Sequence, residues 1–221
     1  MRYKGILIPI ALLGFVLACA SKTKMTVTQS PGVDQIPSSI AVYPLLTTQP
    51  IIQGRPVDRR SIRSLSVDSR EGEMFIEAPA ESKLIVNIES QLLTGLLSAD
   101  LAYYGFSLKE LPVEIPDTES KKVTFAVSLD LLRRMNEDYG VDAVLIGNVY
   151  FSRDRYEPSK HFVKAAYFKL VDVETLDILC HLSLYYDYEG LDLESAAQAI
   201  AAELAAMAGL DSEEVSLAPE H

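Results

Sequence analysis

Three apolar runs of strand length follow one another between residues 141 and 188, and they restrict the fold more than any other feature. The first run, VDAVLIGNVYF over 141–151, is apolar on both alternating faces, as in a central strand that is covered on both sides. HFVKAAYFKLVD over 161–172 and DILCHLSLYYDY over 177–188 follow after short connections. Because short connections join antiparallel neighbours, the sequence predicts an antiparallel C-terminal meander.

Helical periodicity on both sides of these strands predicts helices packed on the sheet. Between residues 81 and 104 apolar residues recur every three to five positions, which predicts one long helix with a buried face formed by Leu84, Ile85, Ile88, Leu92, Leu96 and Leu101. A second helix is expected from an N-cap at Ser128 to a stop at Gly140, and an alanine-rich third over 193–207. With further strands at SIAVYPL and FSLKEL, the pattern predicts a single-domain α/β protein with a mixed sheet.

The N-terminus has the layout of a processing signal. Arg2 and Lys4 precede an apolar run over 6–17, which is shorter than the roughly 20 residues that a transmembrane helix needs. A basic start, a short apolar run and then small residues are typical of a secretory signal peptide. The alternative is a buried N-terminal helix in which Cys19 is an ordinary core residue.

The stretch VLAC, residues 16–19, resembles the lipobox of bacterial lipoproteins. The resemblance implies cleavage between Ala18 and Cys19, a diacylglycerol on the Cys19 thiol and a further acyl chain on its new amine. Ala20 after the cysteine then implies anchoring in the outer membrane. The expected side is the periplasmic one, and display on the cell surface is the alternative. The expected organisation is a signal peptide over 1–18, a flexible tether over 19–37, a globular domain over 38–210 and an acidic tail over 211–221.

The charge balance limits the classes of partner. The formal net charge is −11, and loss of residues 1–18 with Arg2 and Lys4 leaves −13. So acidic a chain is not expected to bind nucleic acid, which requires lysine and arginine to meet the phosphates. It also fits an anionic bilayer poorly, so the lipid has to provide the anchor. If Cys19 is lipidated, Cys180 has no partner for an intramolecular disulfide.

Residues 47–73 lack sustained periodicity and predict a long connection, which in compact domains is usually functional or disordered. This stretch carries five arginines, Arg55, Arg59, Arg60, Arg63 and Arg70, and the first four are candidate partner-docking residues. One interpretation is a docking loop for an anionic partner. The other is a solvated loop that Asp58, Asp68 and Glu71 partly neutralise.

Recognised catalytic patterns are missing from the sequence. It has no glycine-rich phosphate loop, no dinucleotide fingerprint and no zinc-ligand spacing, so neither a cofactor, nor a metal, nor an enzyme activity is expected. In the last strand, period two puts Cys180 and His181 on opposite faces, which excludes a nucleophile–base dyad between them. The remaining catalytic alternative is a hydrolase that uses His181 and Asp187 on the polar face.

Tyrosines form two clusters, Tyr103 with Tyr104 and a second group comprising Tyr185, Tyr186 and Tyr188. They predict either a contact surface, where tyrosine is enriched, or the rim of the core.

Several motifs together resemble the periplasmic domain of the curli-secretion lipoprotein family (CsgG-like). They are SIAVYPL, Gly105-Phe106, YGVDAVLIG over 139–147 and LVDVETLDIL over 170–179. The same pattern is similar to the N-terminal domain of the Tol-Pal propeller protein (TolB-like) and to the lipoprotein activators of penicillin-binding proteins (LpoB-like). Leu176 replaces the hairpin glycine of the family pattern, so this turn has to avoid positive φ or accept strain.

The resemblance implies a TolB N-terminal-like fold and a non-catalytic accessory or scaffold role in envelope assembly or secretion. It also implies an envelope protein as partner and is compatible with a homo-oligomer. The alternative that it suggests is an activator of a peptidoglycan synthase.

Overall fold

The computed structural model describes residues 23–50, 66–70, 73–77, 82–110, 125–153, 157, 160–186 and 190–210. Its strands are β1 Thr23–Gln29, β2 Ser39–Val42, β3 Leu46–Pro50, β4 Ser66–Arg70, β5 Glu73–Glu77, β6 Ser82–Ile85, β7 Ser107–Glu110, β8 Phe125–Ser128, β9 Ala143–Arg153, β10 His161–Asp172 and β11 Ile178–Tyr186. Its helices are α1 Ile88–Tyr103, α2 Leu129–Tyr139 and α3 Leu193–Met207. The last two helices begin and end where the sequence predicts them.

One eight-stranded mixed sheet organises the domain. Its main order is β1-β11-β10-β9-β2-β7, in which β9, β10 and β11 form the predicted antiparallel meander. Strands β2 and β3 run parallel to successive parts of β9, and β6 pairs with β3. A three-stranded sheet, β4-β5-β8, accompanies it. The expected single-domain α/β class with helices packed on a mixed sheet is confirmed.

Strand β9 lies between two apolar clusters. Leu145 on one face packs into a cluster with residues of α1 and α3, whereas Val144 and Ile146 on the other face pack with Leu132 and Met135 of α2. Residues 143–149 are all buried. The double apolar alternation in the sequence therefore has the expected cause, which is cover on both faces.

The tether predicted over 19–37 is wrong for its second part. Strand β1 pairs with β11 over its full length, from Thr23 opposite Tyr186 to Gln29 opposite Cys180. Met25 and Val27 of this strand are half-buried against the core, and Thr26 and Thr28 beside them are exposed. This alternation is the signal for a half-buried strand, and it lies hidden in a stretch rich in polar residues.

The long connection predicted over 47–73 is also wrong in part, because β3, β4 and the start of β5 fall within it. The long helix begins at Ile88 rather than near residue 81, since Ser82–Ile85 pairs with β3 as β6. The four candidate docking arginines and the acidic tail lie outside the described residues.

Leu176 has a positive φ of 62°, so of the two alternatives for this turn the chain accepts the strained conformation. The turn around it is held by Asp172, whose Oδ1 accepts hydrogen bonds from the backbone nitrogens of Glu174 and Thr175 at 2.9 and 2.7 Å. The Leu176 side chain is half-buried against the cluster beside α2. A left-handed conformation costs a non-glycine residue about 1–2 kcal/mol, which the hydrogen bonds and burial offset.

We expect Gly147→Ala to lower the free energy of unfolding by about 1–3 kcal/mol, the usual cost of overpacking. A Cβ at this position would lie 2.5 Å from Leu45 Cδ2 and 2.5 Å from Phe168 Cε1, and both side chains are buried. Gly95→Ala is the matched control, because a Cβ there meets nothing within 4 Å. In a helix interior this change should stabilise by about 0.5–1 kcal/mol. Urea unfolding measures both, and equal effects would contradict the packing of β9.

Candidate interaction surface

Helix α1 exposes an unusually apolar face to solvent. Ile88, Leu92 and Tyr103 are 72%, 55% and 68% exposed, although each is large and apolar or aromatic. The exposed residues of this face recur at alternating intervals of four and three, and we call them the α1 seam: Ile88, Leu92, Gly95, Ala99 and Ala102. This spacing is that of one side of a helix that packs along a second helix.

The opposite face of α1 is the one that contacts the domain core. Leu93, Leu97 and Leu101 are fully buried against the sheet and α3. The predicted buried face is therefore wrong for Ile88 and Leu92, which point outward. Because α1 is apolar on both faces, periodicity alone does not indicate which face contacts the core. A helix that is apolar all round is normally covered on all sides.

The N-terminus of α1 is fixed by a capping box. The Asn87 side chain accepts from the Ser90 backbone nitrogen at 2.8 Å, and the Asn87 backbone nitrogen donates to Ser90 Oγ at 3.0 Å. One turn later, Thr94 Oγ1 accepts from the backbone nitrogen of Leu45 at 3.0 Å and donates to the Ser90 carbonyl at 2.6 Å. The capping bonds fix where α1 starts, and the bond from Leu45 ties its first turns to the segment between β2 and β3.

A cleft lies between α1 and the ends of the parallel strands β2 and β7. It has a volume of about 570 Å³ and is lined by Val42, Pro44, Gln91, Thr94, Gly95, Ser98, Leu108 and Lys109. Gly95 belongs both to this cleft and to the α1 seam. The lining mixes apolar and polar side chains with one cation, Lys109, and it adjoins the α1 seam.

Of the two predicted tyrosine clusters, the first fits a contact surface and the described part of the second fits the edge of the core. Tyr103 is exposed beside the α1 seam and meets the half-buried Tyr104 edge to face, with ring centroids 5.6 Å apart. Tyr186 is buried in the core and Tyr185 is half-buried. Of the described tyrosines in these clusters, Tyr103 is therefore the one that is largely exposed, and Tyr188 lies outside the described residues.

The residues on which lipidation depends, Ala18 and Cys19, lie outside the described residues. Lipidation at Cys19 and docking by the arginines stay predictions. Asp187 of the catalytic alternative lies outside the described ranges as well, whereas its proposed companion His181 lies within them.

His181 and Cys180 occupy opposite faces of β11, as predicted. Cys180 is buried in the core, and burial raises the pKa of its thiol to about 11, which makes it a poor nucleophile at neutral pH. His181 is exposed, between Thr28 on β1 and Lys169 on β10. Partial burial, and then the neighbouring Lys169 ammonium, lower the pKa of His181.

Asp192 is the N-cap of α3. Its carboxylate accepts hydrogen bonds from the backbone nitrogen and the hydroxyl of Ser195, both at 2.8 Å. The backbone bond from Ser195 is the main reason why the pKa of Asp192 is lowered.

Within the described ranges, no three His, Cys, Asp or Glu side chains come together as a metal site. The same ranges hold no helix with the length and apolar character needed to cross a membrane.

No protein-family model matches the sequence. No curated protein matches it either. Two similar solved structures are dodecamers of PelC from Paraburkholderia phytofirmans, one of them a point variant. The variant is 11% identical with a TM-score of 0.45, over 86% of this chain and 100% of the PelC chain. The other is 12% identical with a TM-score of 0.43, over 83% and 94%. Likeness at this level leaves function to be inferred from the chain's own residues.

We expect His181→Gln to make the free energy of unfolding depend less on pH below about pH 7. Because the folded pKa of His181 is lowered, the unfolded chain binds more protons as pH falls through about 6.5, the ordinary histidine value. The wild type should therefore lose stability between about pH 7 and 5 through this group, and the variant should lose less. Urea unfolding at several pH values gives the difference, and parallel profiles would show that His181 is not perturbed.

Proposed function

We propose that the protein is an outer-membrane lipoprotein, anchored through Cys19 and facing the periplasm, that acts without catalysis in envelope assembly or secretion. It binds another envelope protein through the α1 seam. The observation that carries the binding role is the exposure of Ile88 and Leu92 on a helix whose other face already fills the core. The lipobox-like VLAC carries the anchoring role.

An apolar helix face on a partner fits the α1 seam best. Gly95, Ala99 and Ala102 let a second helix approach closely, and Ile88 and Leu92 supply apolar area at one end. Burying one large apolar side chain stabilises a contact by about 1.5–3 kcal/mol. The homo-oligomer that is compatible with the family resemblance is one way to cover the seam, and a helix of a different envelope protein is the other.

Lipidation is tested by Cys19→Ser. We expect the wild type to mature to a lipidated form that floats with membranes, and the variant to keep residues 1–18 without acyl chains. Mass spectrometry of the N-terminal peptide measures both, with Cys180→Ser as the matched control. A mature, membrane-bound Cys19→Ser protein would contradict the anchor.

The α1 seam is tested by a photo-crosslinking amino acid at Leu92, compared with one at Gln198, an exposed position on α3. We expect a discrete adduct in cells only from position 92, because only that side chain lies on the seam. The adduct's mass separates two copies of this chain from a different partner.

A charge-introducing substitution at the seam measures how much Leu92 contributes to the binding free energy. Leu92→Lys should weaken the captured interaction at least about tenfold, as for a contact centre worth more than about 1.4 kcal/mol, whereas Gln198→Lys should leave it unchanged. Equal adducts from positions 92 and 198 would argue against the seam.

A further inference from the structure

The distance between the predicted lipid and the folded domain is short. Strand β1 starts at Thr23, and its pairing with β11 begins at that residue, opposite Tyr186. Four Cα-to-Cα steps therefore separate Cys19 from the sheet. A fully extended chain covers at most about 3.3–3.6 Å per residue, so Cys19 lies within roughly 14 Å of the first paired residue.

Several elements share the end of the sheet at which β1 enters, which we call the entry end. Thr23 starts β1, Tyr186 ends β11, His161 starts β10 and Arg153 ends β9, and the antiparallel register aligns them. Helix α3 also starts there, since Leu191 is bridged to Val163. The opposite, far end holds the β10–β11 hairpin and the start of β9.

The two ends differ in charge. Among the described residues, the exposed cations Lys24, Arg153 and Lys160 at the entry end are matched in number by the exposed acids Glu157, Asp192 and Glu194. A cation lies over an aromatic ring at both ends, Lys160 over Phe162 at the entry end and Lys109 over Tyr139 at the far end, each at 5.4 Å, so this pairing does not distinguish them. At the far end Lys109 is outnumbered by the exposed acids Asp34, Asp138, Asp142, Glu174 and Asp177. Lipid phosphates repel the far end and tolerate the entry end.

We infer that the entry end rests on the phospholipid headgroups of the membrane that holds the Cys19 lipid, so that the strands stand end-on to the bilayer. The inference depends on the proposed lipidation of Cys19. Because β10 has 12 residues at about 3.3 Å each, its far end then stands about 40 Å from the headgroups. The domain is docked on the membrane surface rather than suspended from a long tether.

Because the chain contains no tryptophan, a single introduced tryptophan reports its own distance from the membrane. Phe162→Trp places it at the entry end, and Tyr139→Trp places it at the end of α2, beside the start of β9 at the far end. Both changes replace one aromatic ring with another. The lipidated protein is reconstituted in vesicles of phosphatidylethanolamine and phosphatidylglycerol that carry a dansyl group on a fraction of the headgroups.

We expect energy transfer to dansyl to be several-fold stronger from position 162 than from position 139. A flexible Gly/Ser spacer of about 20 residues inserted after Ala20 has a mean reach of roughly 25 Å and should lower transfer from position 162 while the protein stays bound. Equal transfer from the two positions, or no effect of the spacer, overturns the docked orientation alone. Failure of the acylated fraction to float with vesicles, or absence of acylation, overturns the lipid anchor and with it this inference.

Discussion

The cover of β9 on both faces is the constraint on which the rest of the structure depends. Leu45 and Phe168 pack so closely over Gly147 that a Cβ there would lie 2.5 Å from each side chain, so this position of β9 requires glycine. The two clusters that β9 separates place α1 and α3 on one side and α2 on the other. The position of α1, and therefore the direction of its exposed face, follows from this central packing. A surface built on such a support presents a fixed pattern of side chains to a partner.

The sequence predicts the elements with strong periodicity and clear ends. The meander, α2 and α3 follow from apolar alternation, from Ser128 and Gly140, and from a run of alanines that packs into the core. Strand β1 escapes prediction because its apolar positions are only two, Met25 and Val27, within a polar stretch. Strands β3 and β6 escape it because they are short and pair with each other across more than 30 residues of chain. Strands β4 and β5 are chain neighbours, with Arg70 opposite Glu73, but the charged residues in and between them hide the alternation.

The candidate interaction surface is the harder case, because it depends on which side of α1 the sheet occupies. Leu92 and Leu93 are adjacent, equally apolar and both on plausible faces, yet one is 55% exposed and the other fully buried. The choice is made by tertiary contacts, since Thr94 receives a hydrogen bond from Leu45 and orients the helix. The informative signal in the sequence is an excess of apolar residues beyond what one face needs. Such an excess is what leads us to propose a second contact for this helix, in addition to the one with its own core.

The proposed orientation on the membrane restricts which partners can pack along the α1 seam. His161 Nε2 at the entry end lies 3.3 Å from Glu89 Oε1 in the first turn of α1, and the chain after α1 reaches Ser38 at the far end through Ser107. Helix α1, and with it the seam, therefore starts at the entry end and leads toward the far end. With 16 residues at 1.5 Å each, α1 is about 24 Å long, which is shorter than the roughly 40 Å of β10.

In the end-on orientation that we propose, the seam leads away from the membrane surface. A helix that packs along the whole seam then rises from the membrane surface into the periplasm. A second copy held by its own lipid, or a membrane protein with a periplasmic helix, meets this requirement, whereas a partner bound across the periplasm to the cell wall meets the seam only at its far end.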